Sequence, residues 1–132
     1  MKHLLFAINQ INQALQNNKI EIAIKYTKLN VVFIKLLITR GIISSYTLSH
    51  SLKGYIKLNV FFKFYENNPA FQSITNISTP GRYIYWKNHE IRKHSALNVT
   101  SIYILCNPYL GLCTNVEALR YGQGGVIIAE IK

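Results

Sequence analysis

The apolar residues change their period at Asn17-Asn18, and that change constrains the fold more than any other feature of the chain. Before it, Leu4, Leu5, Ile8, Ile11 and Leu15 recur at spacings of three and four with Asn and Gln between them. That spacing predicts a helix over 4–16 with one buried stripe and an uncharged polar face. After it, Ile20, Ile22 and Ile24 alternate with Glu21, Ala23 and Lys25, the period of a half-buried strand. A second helix is expected from Lys28 to Arg40, with Thr27 as its N-cap, Gly41 as its stop and Arg40 suited to the negative end of its dipole.

Beyond Gly41 the chain turns to strands. Residues 42–48 and 55–65 read as two of them, with Gly54 in the turn between, and Glu66-Asn67-Asn68-Pro69 as the clearest break in the first half. Residues 71–77 read as a short strand, Thr79-Pro80-Gly81 as a turn and 83–86 as a brief extended piece. The polar stretch 87–95 has no strong period and is expected to be mostly loop. Residues 101–105 are β-rich and end at Asn107-Pro108. Residues 115–121 look like one or two helical turns, and Gly122-Gln123-Gly124-Gly125 leads into a strand over 126–131. The expected fold is α+β with two small lobes. Residues 1–68 form an α-β-α-β-β lobe, and 69–132 a mostly β lobe with one short helix.

Charge narrows the partners. Lys and Arg number 15 against five Glu, and there is no Asp, for a formal charge of +10. The lack of Asp removes EF-hand loops, aspartic dyads and two-metal sites built on clustered Asp. The cations are spread over both halves, from Lys25, Lys28, Lys35 and Arg40 through Lys53, Lys57 and Lys63 to Arg82, Lys87, Arg92, Lys93 and Arg120. A surface of that kind suits a polyphosphate chain, whose condensed counterions are released on binding. A basic but uncommitted surface and an anionic membrane face are the other readings, and the uncharged first helix argues against the membrane. Ile, Asn, Lys and Tyr together fill 52 of 132 positions; their A/T-rich codons suggest an A/T-rich genome such as an organellar one.

Other chemistries find little support. Met1 to Ile8 lacks the long apolar run and cleavage site of a secretory signal, and no Ser/Arg-rich presequence is present, so an organellar protein starting here is expected to be made inside the organelle. The apolar run 31–38 is interrupted by Lys35 and too short to span a bilayer. The expectation is a soluble, intracellular protein. Cys106 and Cys113 are too few for a disulfide framework. His89 and His94 with those two Cys give H-x4-H and C-x6-C in the wrong order for a zinc finger, so no metal is expected. No acid or His accompanies either Cys locally, and Gly122–Gly125 lacks the Lys of a phosphate loop. No cofactor, small-molecule substrate or enzyme activity is expected. Most tyrosines read as packing residues, but Tyr109, after Pro108 and near Gly111, is placed to stack on a splayed base.

Four stretches resemble one family. Ile77-Ser78-Thr79-Pro80-Gly81-Arg82-Tyr83-Ile84-Tyr85 is similar to the Ser-Arg-Pro-Gly-Leu-Arg-Ile-Tyr motif of bacterial-type small-subunit ribosomal protein eight. Gly111-Leu112-Cys113-Thr114-Asn115-Val116-Glu117-Ala118 resembles its Gly-Ile-Met-Thr-Asp-Arg-Glu-Ala, and Gly122-Gln123-Gly124-Gly125-Val126-Ile127-Ile128 its Gly-Leu-Gly-Gly-Glu-Ile-Ile. Lys25-Tyr26-Thr27-Lys28-Leu29 sits where the family has Pro-Ser-Ser-Lys-Leu. The resemblance covers essentially the whole chain.

It implies a structural protein of the small ribosomal subunit that binds the central domain of small-subunit rRNA and helps it fold. Neighbouring ribosomal proteins are the other partners. The residues expected to contact RNA, from the resemblance together with charge and loop position, are Thr27, Lys28, Pro80, Gly81, Arg82, Asn107, Pro108, Tyr109, Gly111, Thr114, Arg120, Gly124 and Gly125. Gly111, Gly124 and Gly125 are expected to allow close backbone approach to RNA, Thr114 to offer a hydroxyl, and Glu117 to accept a hydrogen bond within the protein. The chain departs from the pattern in several places. The family's Ser-Thr-Ser is Asn107-Pro108-Tyr109 here, its Arg before the Pro is Thr79, and its Arg-Ile-Arg-Asn is Gln10-Ile11-Asn12-Gln13. With the A/T-rich composition, the expected location is a mitochondrial ribosome, with a plastid one as the alternative. The competing functional reading is a peripheral protein that keeps the fold but mainly bridges neighbouring proteins, and a zinc-dependent RNA-modifying enzyme is a distant third.

Overall fold

A computed structural model describes residues 2–132. The first helix, α1 (Lys2–Gln16), buries Leu4, Leu5, Ala7, Ile8, Ile11, Ala14 and Leu15 along one stripe. It ends where Asn18 takes a left-handed conformation (φ 56°), with the N–H groups of Asn17 and Lys19 donating to the carbonyls of Gln13 and Ala14. Strand β1 (Glu21–Lys25) leads into α2 (Lys28–Thr39). Thr27 caps α2: its Oγ1 accepts from the Asn30 N–H (3.0 Å), while the Asn30 amide reaches back to the Lys25 carbonyl (2.9 Å). Gly41, at φ +75°, closes the helix as a C-terminal Gly should. Strands β2 (Ile43–His50) and β3 (Ile56–Phe62) follow, and β3 lies in the middle of an antiparallel β1-β3-β2 sheet.

The break at 66–69 is a small hairpin. Strands β4 (Phe64–Tyr65) and β5 (Asn68–Pro69) flank Glu66 and Asn67, both at positive φ as a type I′ turn demands. A second antiparallel sheet then forms from β6 (Ile74–Asn76), β7 (Ile84–Trp86), β8 (Ile102–Asn107), β9 (Gly111–Thr114) and β10 (Gly125–Ile131). Strand β10 is its centre. Strands β6 and β7 pair in succession along one side, β8 pairs on the other, and β9 lies outside β8. A bulge at Ile128 shifts the β8 register, and Ile127, Ile128 and Ala129 are all buried.

The α+β class agrees with the sequence reading, but the stretch expected to be loop does not. Residues 88–97 form a helix, α3 (Asn88–Leu97), in addition to the expected short one, α4 (Asn115–Arg120). Only Ile91 of α3 is buried, so no apolar period reports it. It is held instead by the Glu90 carboxylate accepting from the Lys87 N–H and by His94 stacked on Trp86, with ring centroids 3.9 Å apart and planes 4° from parallel.

One apolar cluster joins the two sheets. Leu5, Ile8, Phe33 and Leu58 of the first half share it with Ile74, Ile104, Ile128 and Ile131 of the second. A smaller cluster of Ile91, Tyr103, Leu105, Cys113, Ala118 and Ile127 lies beneath α3 and α4. Polar ties strengthen the junction: the Asn76 amide donates to the Leu5 carbonyl (3.0 Å), and Asn12 Oδ1 accepts from the Ile74 N–H (3.1 Å).

Candidate nucleic-acid interface

The loops expected to touch RNA fall into three groups. In the first, the end of β8, the start of β9, the end of β7 and the start of β10 meet at one end of the second sheet. Asn107 organises them. Its Oδ1 accepts from the N–H groups of Tyr109 (2.7 Å) and Leu110 (3.1 Å), and its amide donates to the Gly124 carbonyl. This Asx-type turn displays Pro108 and Tyr109 outward, with Tyr109 85% exposed. Gly111 closes the turn at φ +71°, with open space where a Cβ would stand. Asn107 itself is only 4% exposed, so its side chain serves the turn.

Gly124 and Gly125 sit behind this turn, and their missing side chains are required by the protein itself. A Cβ on Gly124 would lie 2.5 Å from the Trp86 carbonyl oxygen and 3.1 Å from Lys87 Cα. On Gly125 it would lie 2.6 Å from the Cys106 carbonyl oxygen. These two glycines thus allow close packing between β7, β10 and β8. Asn88 completes the mount, its amide donating to the carbonyls of Ala118 (3.3 Å) and Gln123 (3.1 Å). Tyr85, whose hydroxyl is 3.2 Å from that same Gly124 Cβ position, and Tyr121 are both more than half exposed here. The sequence reads Tyr85 as a packing residue, and its place inside the short strand β7 gives no signal otherwise.

The second group is the turn after β6. Thr79 and Arg82 exchange backbone hydrogen bonds (2.9 and 3.0 Å), leaving Pro80 and Gly81 exposed at its tip with Arg82 beside them. Ser78 anchors it: its buried hydroxyl donates to the Ile127 carbonyl and accepts from the Ile84 N–H. This turn lies against the start of α1, near Lys2 and His3.

The third group surrounds α4. Thr114 is 1% exposed, and its Oγ1 accepts from Arg40 Nη2 (3.1 Å). The same nitrogen lies 2.6 Å from Glu117 Oε1. Glu117 thus accepts a hydrogen bond inside the protein, as expected, while Arg40 spans from α2 to α4 instead of merely complementing its own helix. Arg120 is exposed at the far end of α4. Thr27 and Lys28 lie apart at the start of α2; Thr27 is occupied as a cap and Lys28 is exposed.

Only two ion pairs form among the described residues, Arg40–Glu117 and Lys132–Glu130. Lys28, Arg82 and Arg120 therefore have no acidic partner, which leaves their charge free for an external anion. The two cysteines are free. Burial, with a smaller contribution from Glu117, pushes the Cys113 thiol up to about 11, so it stays protonated at neutral pH and is a poor nucleophile or ligand. Among the described residues, no helix is long and apolar enough to cross a membrane.

Comparison with known proteins points the same way. The family model described as Ribosomal protein S8 matches residues 5–131. The chain is 27% identical over 124 residues to small ribosomal subunit protein uS8 of Paramagnetospirillum magneticum, covering 94% of this chain and 92% of that one. Proteins of the same name from Brucella anthropi and Brucella melitensis are 27% and 28% identical over the same length and coverage.

Proposed function

Because the chain belongs to the ribosomal protein S8 family, a structural component of the small ribosomal subunit, we propose that it binds small-subunit rRNA directly through its second sheet. The RNA on this reading is the central domain, and the ribosome is an organellar one, mitochondrial in preference to plastid. The observation that carries the reading is the Asn107-braced turn, which presents Tyr109 on a rigid mount. A turn whose backbone is fixed by three side-chain hydrogen bonds loses little freedom on binding. An aromatic ring at its tip gives a stacking platform for an unpaired base. Exposed Arg82, Arg120 and Lys28 supply the phosphate contacts, which position without reading sequence. The excess of Ile, Asn, Lys and Tyr, all encoded by A/T-rich codons, supports an organellar genome, and the bacterial relatives suit a bacterial-type organellar ribosome.

Filter binding tests this. Affinity for a central-domain rRNA fragment should exceed that for a regular RNA duplex of equal length. It should also fall with rising salt, with a log–log slope of about −3 if some four phosphates are neutralised. Equal binding to both RNAs would instead favour a protein that keeps the fold and mainly bridges its neighbours.

A further inference from the structure

On the side of the molecule formed by α1 and the first sheet, β1 is an end strand, paired only with β3 over five rungs without a bulge. The Ile20 carbonyl accepts from the Phe62 N–H (3.0 Å). In an antiparallel ladder the backbone groups alternate sides, so Ile20, Ile22 and Ile24 turn theirs to β3, and Glu21, Ala23 and Lys25 turn theirs outward. The Lys25 carbonyl is met by Asn30. The N–H and C=O groups of Glu21 and Ala23 face a groove. Natural sheets guard such an edge with a bulge, a Pro or a mid-strand charge. Here the middle of the strand is Ile22-Ala23-Ile24, and Ala23 is exposed and small enough for another backbone to approach.

The opposite wall is α1. Phe6, Gln10 and Gln13 follow at spacings of four and three, which places them on one helix face, and Asn17 lies just past its end. Two clefts of ≈ 720 and ≈ 580 Å³ share Gln10 and Ala23 and so form one continuous groove along the whole strand. Its far end is apolar, with Phe6, Tyr26 and Tyr55 exposed by 63, 39 and 68%.

Charge names the occupant. Lys25 and Lys57 are direct cross-strand partners, an unfavourable like-charge pair unless an anion joins them. Lys19 lies at the other end, and Glu21 is the only acid lining the groove. A second copy would bring two chains of charge +10 together. A nucleic-acid strand would meet a wall of neutral amides, and its backbone has no alternating N–H and C=O groups to match the ones this edge presents. We propose that the free edge of β1 takes an extended acidic segment of a neighbouring protein as a fourth strand, seated between β1 and α1. Strand addition supplies affinity through the main chain, and the lysines and aromatics at the groove's end select the segment. This inference needs no RNA and stands apart from the reading above.

The test is titration of the full-length, isotope-labelled chain with a short synthetic peptide in which Glu alternates with Val and Tyr. Backbone amides over 21–25 and the side-chain amides of Gln10 and Gln13 should shift, and the Glu21 and Ala23 N–H groups should gain protection from hydrogen exchange. Lys25→Glu with Lys57→Glu should weaken the peptide by about tenfold or more at low salt. Ala23→Pro should abolish binding, because it removes an outward N–H and leaves the bonds to β3 in place. Should that variant fail to fold, a peptide N-methylated at alternate amides gives the same loss with the unaltered protein. The proposal is overturned if no shift occurs, if polyuridylate gives the same shifts and competes, or if sedimentation of the chain alone shows a dimer that already protects β1.

Discussion

Arg40 Nη2 lies 2.6 Å from Glu117 Oε1, linking the end of α2 to the first turn of α4 across 77 positions of sequence. The same nitrogen donates to Thr114 Oγ1, the residue from which α4 starts. A single guanidinium therefore couples the first half of the chain to the placement of the α4 loop. Both side chains are about one-third exposed, so solvent weakens the pair. Arg40→Ala should cost about 0.5–1 kcal/mol in urea unfolding and lower RNA affinity modestly. Reversing both charges, Arg40→Glu with Glu117→Arg, should recover most of the stability that either reversal alone removes. If the double variant is no better than the single ones, the two side chains act independently.

Asn107 makes three hydrogen bonds from a nearly buried position. Asn107→Ala should destabilise the fold by about 2–3 kcal/mol in denaturant titration, since it leaves the Gly124 carbonyl and two N–H groups without their partner. RNA affinity should fall beyond that expected from unfolding alone, because the turn that carries Tyr109 loosens.

Gly124 and Gly81 make a contrasting pair. A Cβ at Gly124 collides with backbone at 2.5 Å, whereas one at Gly81 meets nothing within 4 Å. Gly124→Ala should cost about 1–3 kcal/mol in thermal or chemical unfolding. Gly81→Ala should stay within about 0.5 kcal/mol of the parent. Equal costs at the two sites would contradict the packing described for β7 and β10.

Tyr109 carries almost no packing, so Tyr109→Ala should leave unfolding unchanged while weakening the central-domain fragment by about 1–3 kcal/mol. Tyr109→Phe should keep most of the affinity, since a stacking ring does not need the hydroxyl. An unchanged affinity for the Ala variant would rule out stacking.

Alkaline pH should destabilise the fold. Burial raises the Cys113 thiol from 9.0 to about 11, and burial with the nearby Glu130 raises the Tyr103 phenol from 10.0 to about 12. Folding favours the protonated form of both groups, so their contribution is full below pH 9 and is lost as pH climbs through 11 and 12. Unfolding midpoints measured from pH 7 upward should hold up to about 9 and then decline. Cys113→Ser, whose hydroxyl does not titrate in this range, should remove the earlier part of the decline.

How much of this could be read from the chain depended on whether burial left a periodic trace. Leu4 to Leu15 bury one stripe, and Ile22 and Ile24 turn inward from β1 while Ile20 before it stays exposed; α1 and β1 were legible for that reason. Thr27 and Gly41 announced the ends of α2 by chemistry that works locally. α3 left no trace, because it buries only Ile91 and rests on a ring stack and a cap. At the site, Pro80-Gly81 and Asn107-Pro108 were visible as turns. The inward aim of Thr114 and Asn107 was not, since it depends on the register of β9 against β8 and on Gly124, which is distant in sequence. The Arg40–Glu117 link had no local signature of any kind.

Strand β10 follows every other strand in chain order, yet β6, β7 and β8 all pair with it. During synthesis β6 and β7 have no partner strand until residue 125 and its successors emerge, and β8 has only β9. Until then the apolar stripe of α1 lacks the Ile128 and Ile131 side chains that help to cover it. The nascent polypeptide thus stays sticky late in its production, and its second sheet closes when β6, β7 and the β8–β9 pair gather around its youngest segment.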